Sequence, residues 1–419
     1  MSVKEIQLNS LPLQQPSLWR NKNYVLLWLG QAISQFGDKL YLLALPWLVL
    51  EMTQSVISAT TILALELITE ILFAPFVGIM IDQMNRKKIM LMSDILRGFL
   101  MVSIPVLYAT NSLEIGYIYF VAVMLSLLTL VFESSSQAYL PSIINHEQLM
   151  DGNAKLTMIA TIMRIVGPAI AGILIAFLGS SWTIGLNGLT FFISATFLLF
   201  LTNTQINPPK KQEKKYKETL QSLKQDIKEG FDYLIKHPVL WPITVFSAVM
   251  NISIMGVSGL FIFESKVTQG VSAESTSMIF WISGIFAFLA SISVKYINKY
   301  LTKGQLVRFG ALTVGLGLGL VAIFPSIWAM ITCFTLLLVI GLFVNVSMTT
   351  LRQEIVPDHL LGRVMTTTRV LNQSLAPLAV IGGGFLAHQY SVQLVFVIAT
   401  IVVFLNVLYA WFGKMNRIK

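Results

Sequence analysis

The sequence predicts an all-α membrane protein of twelve transmembrane helices in two six-helix halves. Three observations predict it. Of the 419 residues, 55% are hydrophobic and only 12% are charged, about half the charged fraction of a typical soluble domain; the mean hydropathy is +0.74. Twelve stretches are long and apolar enough to cross a bilayer, which takes about 20 residues each. Lys and Arg gather in alternate connections, as expected of a chain that crosses repeatedly.

The candidate spans are 24–49, 57–80, 89–109, 115–138, 156–178, 182–202, 239–263, 275–297, 305–325, 328–348, 366–387 and 391–413. With the N-terminus in the cytoplasm, the inner segments hold 24 of the 29 Lys and Arg residues. They include Arg20 and Lys22, the run 86–88, Lys155, eight in 203–238, four from Lys295 to Arg308, Arg352, Arg363 and the C-terminal tail. Outer connections hold Lys266, while Lys39, Arg97, Arg164 and Arg369 fall within spans. Both termini are therefore expected on the cytoplasmic side of the cell membrane. The net charge of +9 then reports topology, and no nucleic-acid partner is expected.

Residues 1–23 are polar, without the apolar core of a signal peptide, and are expected to be a cytoplasmic tail, as are 414–419. Residues 24–202 form the expected N-terminal half and 239–413 the C-terminal half. Between them, 203–238 opens rich in Pro and Lys and continues with Leu220, Leu223, Ile227, Phe231, Leu234 and Ile235 on one helical face. A helix at the inner membrane surface is expected there, with a flexible linker as the alternative. The single cysteine, Cys333, rules out an internal disulfide.

The halves are faintly alike: "RIVGPAIAGILIA" (164–176) parallels "QSLAPLAVIGGGFLA" (373–387). A parallel repeat of this kind is a transporter feature. After the second span, "GIMIDQMNRKKIML" (78–91) sets Gly78, Asp82, Arg86 and Lys87 around a short inner loop. Gly78 is expected to let two helices approach closely, and Asp82 and Arg86 to form a latch at the membrane edge. The pattern resembles motif A of the major facilitator superfamily, and with twelve spans the resemblance covers essentially the whole chain. "GQAISQFGDKLYLLALPWLV" (30–49), "LPSIINHEQLMDGNAK" (140–155) and "EGFDYLIKHPVL" (229–240) resemble its drug:proton antiporter-3 branch, which includes macrolide and siderophore exporters.

"GPAIAG" (167–172) is similar to the core of motif C, the antiporter motif, through Gly167, Pro168 and Gly172, although Ala171 stands in place of a glycine. The second-half counterpart of motif A, "VKYINKYLTKG" (294–304), lacks the Asp–Arg pattern. The resemblance implies a major facilitator fold, alternating access and proton-coupled export of amphipathic compounds. It also implies that Glu133, in the fourth span, completes a charge relay with Arg86.

A charge at the membrane centre costs about 2.5–3.5 kcal/mol and usually faces a wet cavity or a partner. Gln31, Ser34, Gln35, Asp38 and Tyr41 follow helical spacing and form one polar stripe, suited to a cavity wall. Asp38 is a candidate for transport, or for a structural ion pair or helix–helix hydrogen bond. Glu66 and Glu70, four residues apart in the second span, share a face with Phe73. Two charges there would repel and titrate jointly. Such a pair could relay a proton or attract a cationic compound. A salt bridge to Lys39, Arg97 or Arg164, or one glutamate held neutral by hydrogen bonds, is the alternative. Arg164, in the fifth span, is a candidate partner for Asp38, Glu66 or Glu133. Asp94 and Arg97, at the inner end of the third span, are expected to brace the motif A loop. The C-terminal half is poorer in charge, with Asn251, Asn345, Asn372 and Gln373 as its polar groups, and is expected to offer mainly apolar contacts.

No phosphate-cradling loop or nucleophile–base arrangement stands out, and the four histidines are scattered. The chain is therefore read as neither an ATPase nor an enzyme, without cofactor or bound metal. The expected partners are a small amphipathic substrate, protons and the lipid bilayer, with the protein acting as a monomer. A lipid or lysolipid translocator of the same fold and a non-transporting membrane sensor or scaffold are the rival readings.

Overall fold

The fold was obtained as a computed structural model, which describes residues 17–202, 216–300 and 302–412, excepting the side chains of 79, 82, 83, 216–224, 294–300, 358, 359 and 412. The expected tails before residue 17 and after 413, the Asp82 carboxylate, and Leu220 and Leu223 on the amphipathic face lie outside the described residues. Within them every regular element is a helix.

The first set comprises α1 (Lys22–Thr53), α2 (Val56–Gln83), α3 (Arg86–Ala109), α4 (Ile115–Ile143), α5 (Leu149–Leu178) and α6 (Ser180–Leu199). After α7 (Tyr216–Lys236) come α8 (Leu240–Ser258), α9 (Ala273–Tyr300), α10 (Lys303–Ile323), α11 (Ile327–Ile355), α12 (Asp358–Gln373), α13 (Ala376–Gln389) and α14 (Val392–Phe412). Polar residues start several of them. The Asn21 side chain accepts from Tyr24 N–H, the Asn85 side chain from Lys88 N–H, and Thr302 and Gln305 cap each other. Such caps satisfy backbone donors that a new helix leaves unpaired.

Among the described residues, eleven helical segments are long and apolar enough to cross a membrane, from Val56–Gly78 to Val392–Trp411. The 32-residue α1 is not one of them. Lys22, Asp38, Lys39 and Glu51 lie along it, and its Gln31–Gln35 stretch is polar.

α1 packs on α5 and α6, α3 on α4 and α6, and α2 on α4. Later in the chain, α9 packs on α11, α10 on α11 and α14, and α8 on α13 and α14. Two further pairings join these sets, α5 with α9 and α2 with α13. Small residues permit them. A Cβ on Gly172 of α5 would meet Ser277 of α9 and lie 2.9 Å from the Ala273 carbonyl. One on Gly384 of α13 would meet Thr60 of α2.

One end of the bundle is basic. There Asn21 donates to the Ile143 carbonyl at 2.7 Å, Tyr24 to the Gly152 carbonyl at 3.0 Å, and Lys87 to the Leu201 carbonyl at 2.7 Å. At the opposite end Lys266 donates to the Trp47 carbonyl at 2.9 Å, lies 3.4 Å from Glu51 and sits 4.4 Å from the Trp47 ring centre. Glu51 also accepts from Ser180. Contacts at this far end therefore clamp the two sets together.

Three local expectations change. The span expected at 366–387 is two helices, α12 and α13, broken at Ser374 and Leu375. Pro377 removes a backbone donor and crowds the preceding turn there. The amphipathic α7 has protein against part of its apolar face, while Ile235 stays exposed. Leu234 is fully buried with Leu240, Val356 and Val364, and Thr367 of α12 donates to the Ile227 carbonyl at 3.3 Å. Arg363 of α12 fastens it further through Asp226, at 2.7 Å, and Glu229. At Gly78 the expected close approach is absent, because nothing lies within 4 Å of where its Cβ would be.

Candidate functional site

The polar stripe of α1 lines a cavity, because its spacing turns Gln31, Ser34, Gln35 and Asp38 to one side. Across from them stand Arg97 of α3 and Glu133 and Ser136 of α4, enclosing about 370 Å³. Gln31 is held in place by donating to Ser136. A second cavity of about 400 Å³ adjoins it, sharing Asp38 and Glu133 in its wall. It adds Lys39, Glu66 and Glu70, and is closed by Met255 and Ser258 of α8 and Val380 of α13. Four carboxylates thus face two adjoining cavities, and the second of these spans both helix sets.

Each carboxylate has a distinct setting. Glu66 accepts a hydrogen bond from the Tyr41 hydroxyl at 2.7 Å, and its main-chain carbonyl accepts from Ser126 at 3.0 Å. The base facing Glu70 is Arg369 of α12, at 3.6 Å. The alternatives Lys39, Arg97 and Arg164 pair with neither glutamate. Asp38 and Glu133 form no ion pair among the described residues. An unneutralised carboxylate within the membrane is costly unless it faces a wet cavity, and both line cavity walls, Asp38 half-buried and Glu133 exposed.

Arg164 is exposed, lines other cavities near Pro168 and Lys39, and forms no ion pair with Asp38, Glu66 or Glu133. Arg97 also departs from expectation. Its guanidinium is fully buried, pairs with Asp94, and lies 4.4 Å from the Phe132 ring centre and 4.2 Å from that of Phe191. At 1.5 Å per residue from Arg86 it sits about 16 Å along α3, in the cavity wall and away from the motif A loop.

The motif A residues meet the loop differently than expected. Arg86 donates to the Ala138 carbonyl of α4 at 2.8 Å, and Lys87 covers the last carbonyls of α6. Arg86 does not reach Glu133, so the relay between them is not formed in this conformation. In the motif C stretch, a Cβ on Gly167 would overlap the Lys39 side chain. That glycine therefore sets the α1–α5 spacing beside Asp38, while Gly172 sets the α5–α9 contact.

Two basic residues escaped the sequence reading. Arg369, taken only as lying inside a span, faces Glu70. Arg352, counted among inner-loop charges, is a buried residue of α11 in the wall of a third cavity. The break before Pro377 was the one local signal of something unusual in that region. The later helices are thus not merely apolar: Asn251, Asn345, Asn372 and Arg352 all line that third cavity.

Comparison with known proteins accords with this geometry. The chain is 22% identical to the Uncharacterized MFS-type transporter YvqJ of Bacillus subtilis over 57% of its own length, spanning 56% of that protein. It is 21% identical to Macrolide efflux protein A of Streptococcus pyogenes, with 90% of this chain and 91% of that one aligned. It is 20% identical to the Multidrug efflux pump Tap of Mycolicibacterium fortuitum, over 86% and 88% of the two chains. Its fold resembles that of a bacterial homologue of the iron transporter ferroportin in the inward-facing state, with a TM-score of 0.74 at 17% identity, covering 94% of this chain and 98% of that one. Residues 27–380 match the family model of the Major Facilitator Superfamily, and the chain belongs to that family of membrane transporters.

Proposed function

We propose that the protein is a secondary active exporter that moves amphipathic compounds out of the cytoplasm in exchange for protons. α1 serves as the twelfth membrane-crossing helix, its polar stripe facing the cavity and its apolar faces meeting α5 and α6. Two sets of six spans then rock about the α2–α13 and α5–α9 contacts. The basic end faces the cytoplasm, in keeping with the Lys and Arg distribution. In the conformation described, the far end is clamped, so the cavities are those of a carrier open toward the cytoplasm. The protein works as a monomer.

The observation that carries this reading is the group of four carboxylates, Asp38, Glu66, Glu70 and Glu133, on the walls of adjoining cavities that share Asp38 and Glu133. Glu66 and Glu70 lie one helical turn apart, so a proton on one eases the charge on the other. Arg369 offers Glu70 a competing counter-charge on α12. Protonation of Glu70 releases that contact, which ties a proton to movement between the two helix sets. The apolar parts of the same walls, Leu63, Leu67 and Met255, suit the body of an amphipathic compound. The macrolide and multidrug efflux relatives support the choice of cargo.

Everted membrane vesicles test it. A labelled macrolide and a cationic amphipathic dye are each expected to accumulate when a proton gradient, acid inside, is imposed, and to leak when a protonophore collapses it. Accumulation indifferent to the gradient would sink proton antiport.

A further inference from the structure

The third cavity holds an arrangement that the proposed proton chemistry does not use. It encloses about 250 Å³ between α8, α10, α11 and α12. Arg352 is 6% exposed, and its Nε and Nη2 are buried without a hydrogen-bond partner among the described residues. Asn372, also lining this cavity beside the break between α12 and α13, has a buried Oδ1 that is likewise unpartnered among the described residues. The acid nearest in sequence, Glu354, lies two residues on and is engaged by Lys303. Among the described residues no carboxylate lines this cavity.

A buried guanidinium normally has an anion beside it, because its desolvation is otherwise unanswered. Arg352 lies near the C-terminal end of α11, where the helix dipole favours a cation. That effect is weak beside the desolvation cost of a buried ion. Guanidinium geometry matches a carboxylate or phosphate through two parallel hydrogen bonds. Ser247, Asn251 and Asn345 add neutral polar groups, and most of the remaining wall is apolar and adaptable, with Met250, Ile254, Leu337 and Met348. On α8, Met250, Asn251 and Ile254 face this cavity, while Met255 and Ser258 face the carboxylate cavity. The two sites therefore lie on adjoining stretches of one helix.

We propose that the Arg352 cavity is an anion subsite that takes the carboxylate or phosphate end of an amphipathic molecule. Arg352 bonds the anion, the Asn372 side chain turns its amide toward it, and the methionine-lined wall takes the apolar body. The proposal rests on the transporter reading above for the route by which the ligand arrives. Its test does not depend on proton coupling, so either can fail alone.

The full-length protein in nanodiscs of phosphatidylcholine is titrated with dodecanoate, dodecyl phosphate, dodecyltrimethylammonium and inorganic phosphate. The first two are expected to bind. Arg352→Gln should weaken both at least tenfold, Arg352→Lys should retain part of the affinity, and the cationic amphiphile should change less than twofold in either variant. Inorganic phosphate, lacking the apolar body, should bind far more weakly than dodecyl phosphate. Without ligand, Arg352→Gln should unfold at the same temperature as the wild type or higher, because it removes a buried unpaired charge; a structural arginine would give the reverse. Repeating the dodecanoate titration with phosphatidylglycerol in the nanodisc separates two sources. Competition assigns the subsite to a lipid headgroup, and its absence assigns it to a soluble cargo. Unchanged anion binding in Arg352→Gln, or equal losses for anionic and cationic amphiphiles, would overturn the proposal.

Discussion

Arg369 of α12 lies 3.6 Å from the carboxylate of Glu70 on α2, and this is a contact between the two helix sets. Both side chains are well exposed, at 71% and 47%, and an ion pair in such a setting contributes no more than about 1 kcal/mol. Its role is therefore positional. Glu70→Gln and Arg369→Gln are each expected to leave the unfolding temperature within a few degrees of wild type while slowing gradient-driven efflux. The double charge swap Glu70→Arg with Arg369→Glu should recover part of that rate. Strict additivity of the two single losses in a double-mutant cycle would show that the pair is not coupled.

Glu66 differs because its partner, Tyr41, is neutral. Glu66→Gln keeps an oxygen that can accept from the Tyr41 hydroxyl, so folding and substrate binding are expected to persist. Uphill efflux driven by the proton gradient should fall by at least tenfold, with substrate exchange at equilibrium retained. Equal loss of exchange and uphill efflux would assign Glu66 to binding rather than coupling.

The buried pair Asp94–Arg97 predicts an asymmetry in stability. Asp94→Ala leaves the Arg97 guanidinium buried and uncompensated, which costs about 3–5 kcal/mol. Removing both charges with Asp94→Leu and Arg97→Met should cost clearly less. Thermal unfolding in detergent reads the difference.

Glycine substitutions separate sites of close packing from open ones. Gly167→Val forces a side chain into Lys39 and is expected to destabilise by about 1–3 kcal/mol, the usual effect of overpacking. At Gly78 the surroundings are open, so Gly78→Ala should be neutral or stabilise by up to about 1 kcal/mol through helix propensity. Comparing expression and unfolding temperature of the two variants checks this.

His237, between α7 and α8, accepts from the backbone N–H groups of Val239 and Leu240 through Nδ1, each at 3.2 Å. Partial burial lowers its pKa from the ordinary value of 6.5. The folded protein then binds fewer protons here than the unfolded chain. Stability from this residue is thus present above pH 6.5 and is lost as pH falls toward the folded value. His237→Asn should keep the cap and abolish that dependence, while His237→Ala should cost about 1 kcal/mol. Unfolding temperature followed from pH 7.5 to 5 distinguishes them.

Much of the site was legible along single helices. Gln31, Ser34, Gln35, Asp38 and Tyr41 follow the helical period, and they do share a side. Glu66 and Glu70 were recognisable for the same reason. Their partners were not: Arg369 lies far along the chain, and Lys39 or Arg164 were equally good choices by charge alone. Arg352 was missed because counting basic residues at span ends treats each as solvated, and this one is turned into a cavity.

The sequence by itself determined that this is a helical membrane protein, where most of its helices run, and which faces of α1 and α2 are polar. Hydropathy and periodicity are local properties, written in neighbouring residues. Only the tertiary structure decided that Glu70 meets Arg369, that Gly167 rather than Gly78 marks a tight helix approach, and that Arg352 lacks a counter-charge among the described residues. Those outcomes depend on which helices lie side by side and how far each is rotated. Packing across the whole bundle sets both, and no single stretch of sequence contains them.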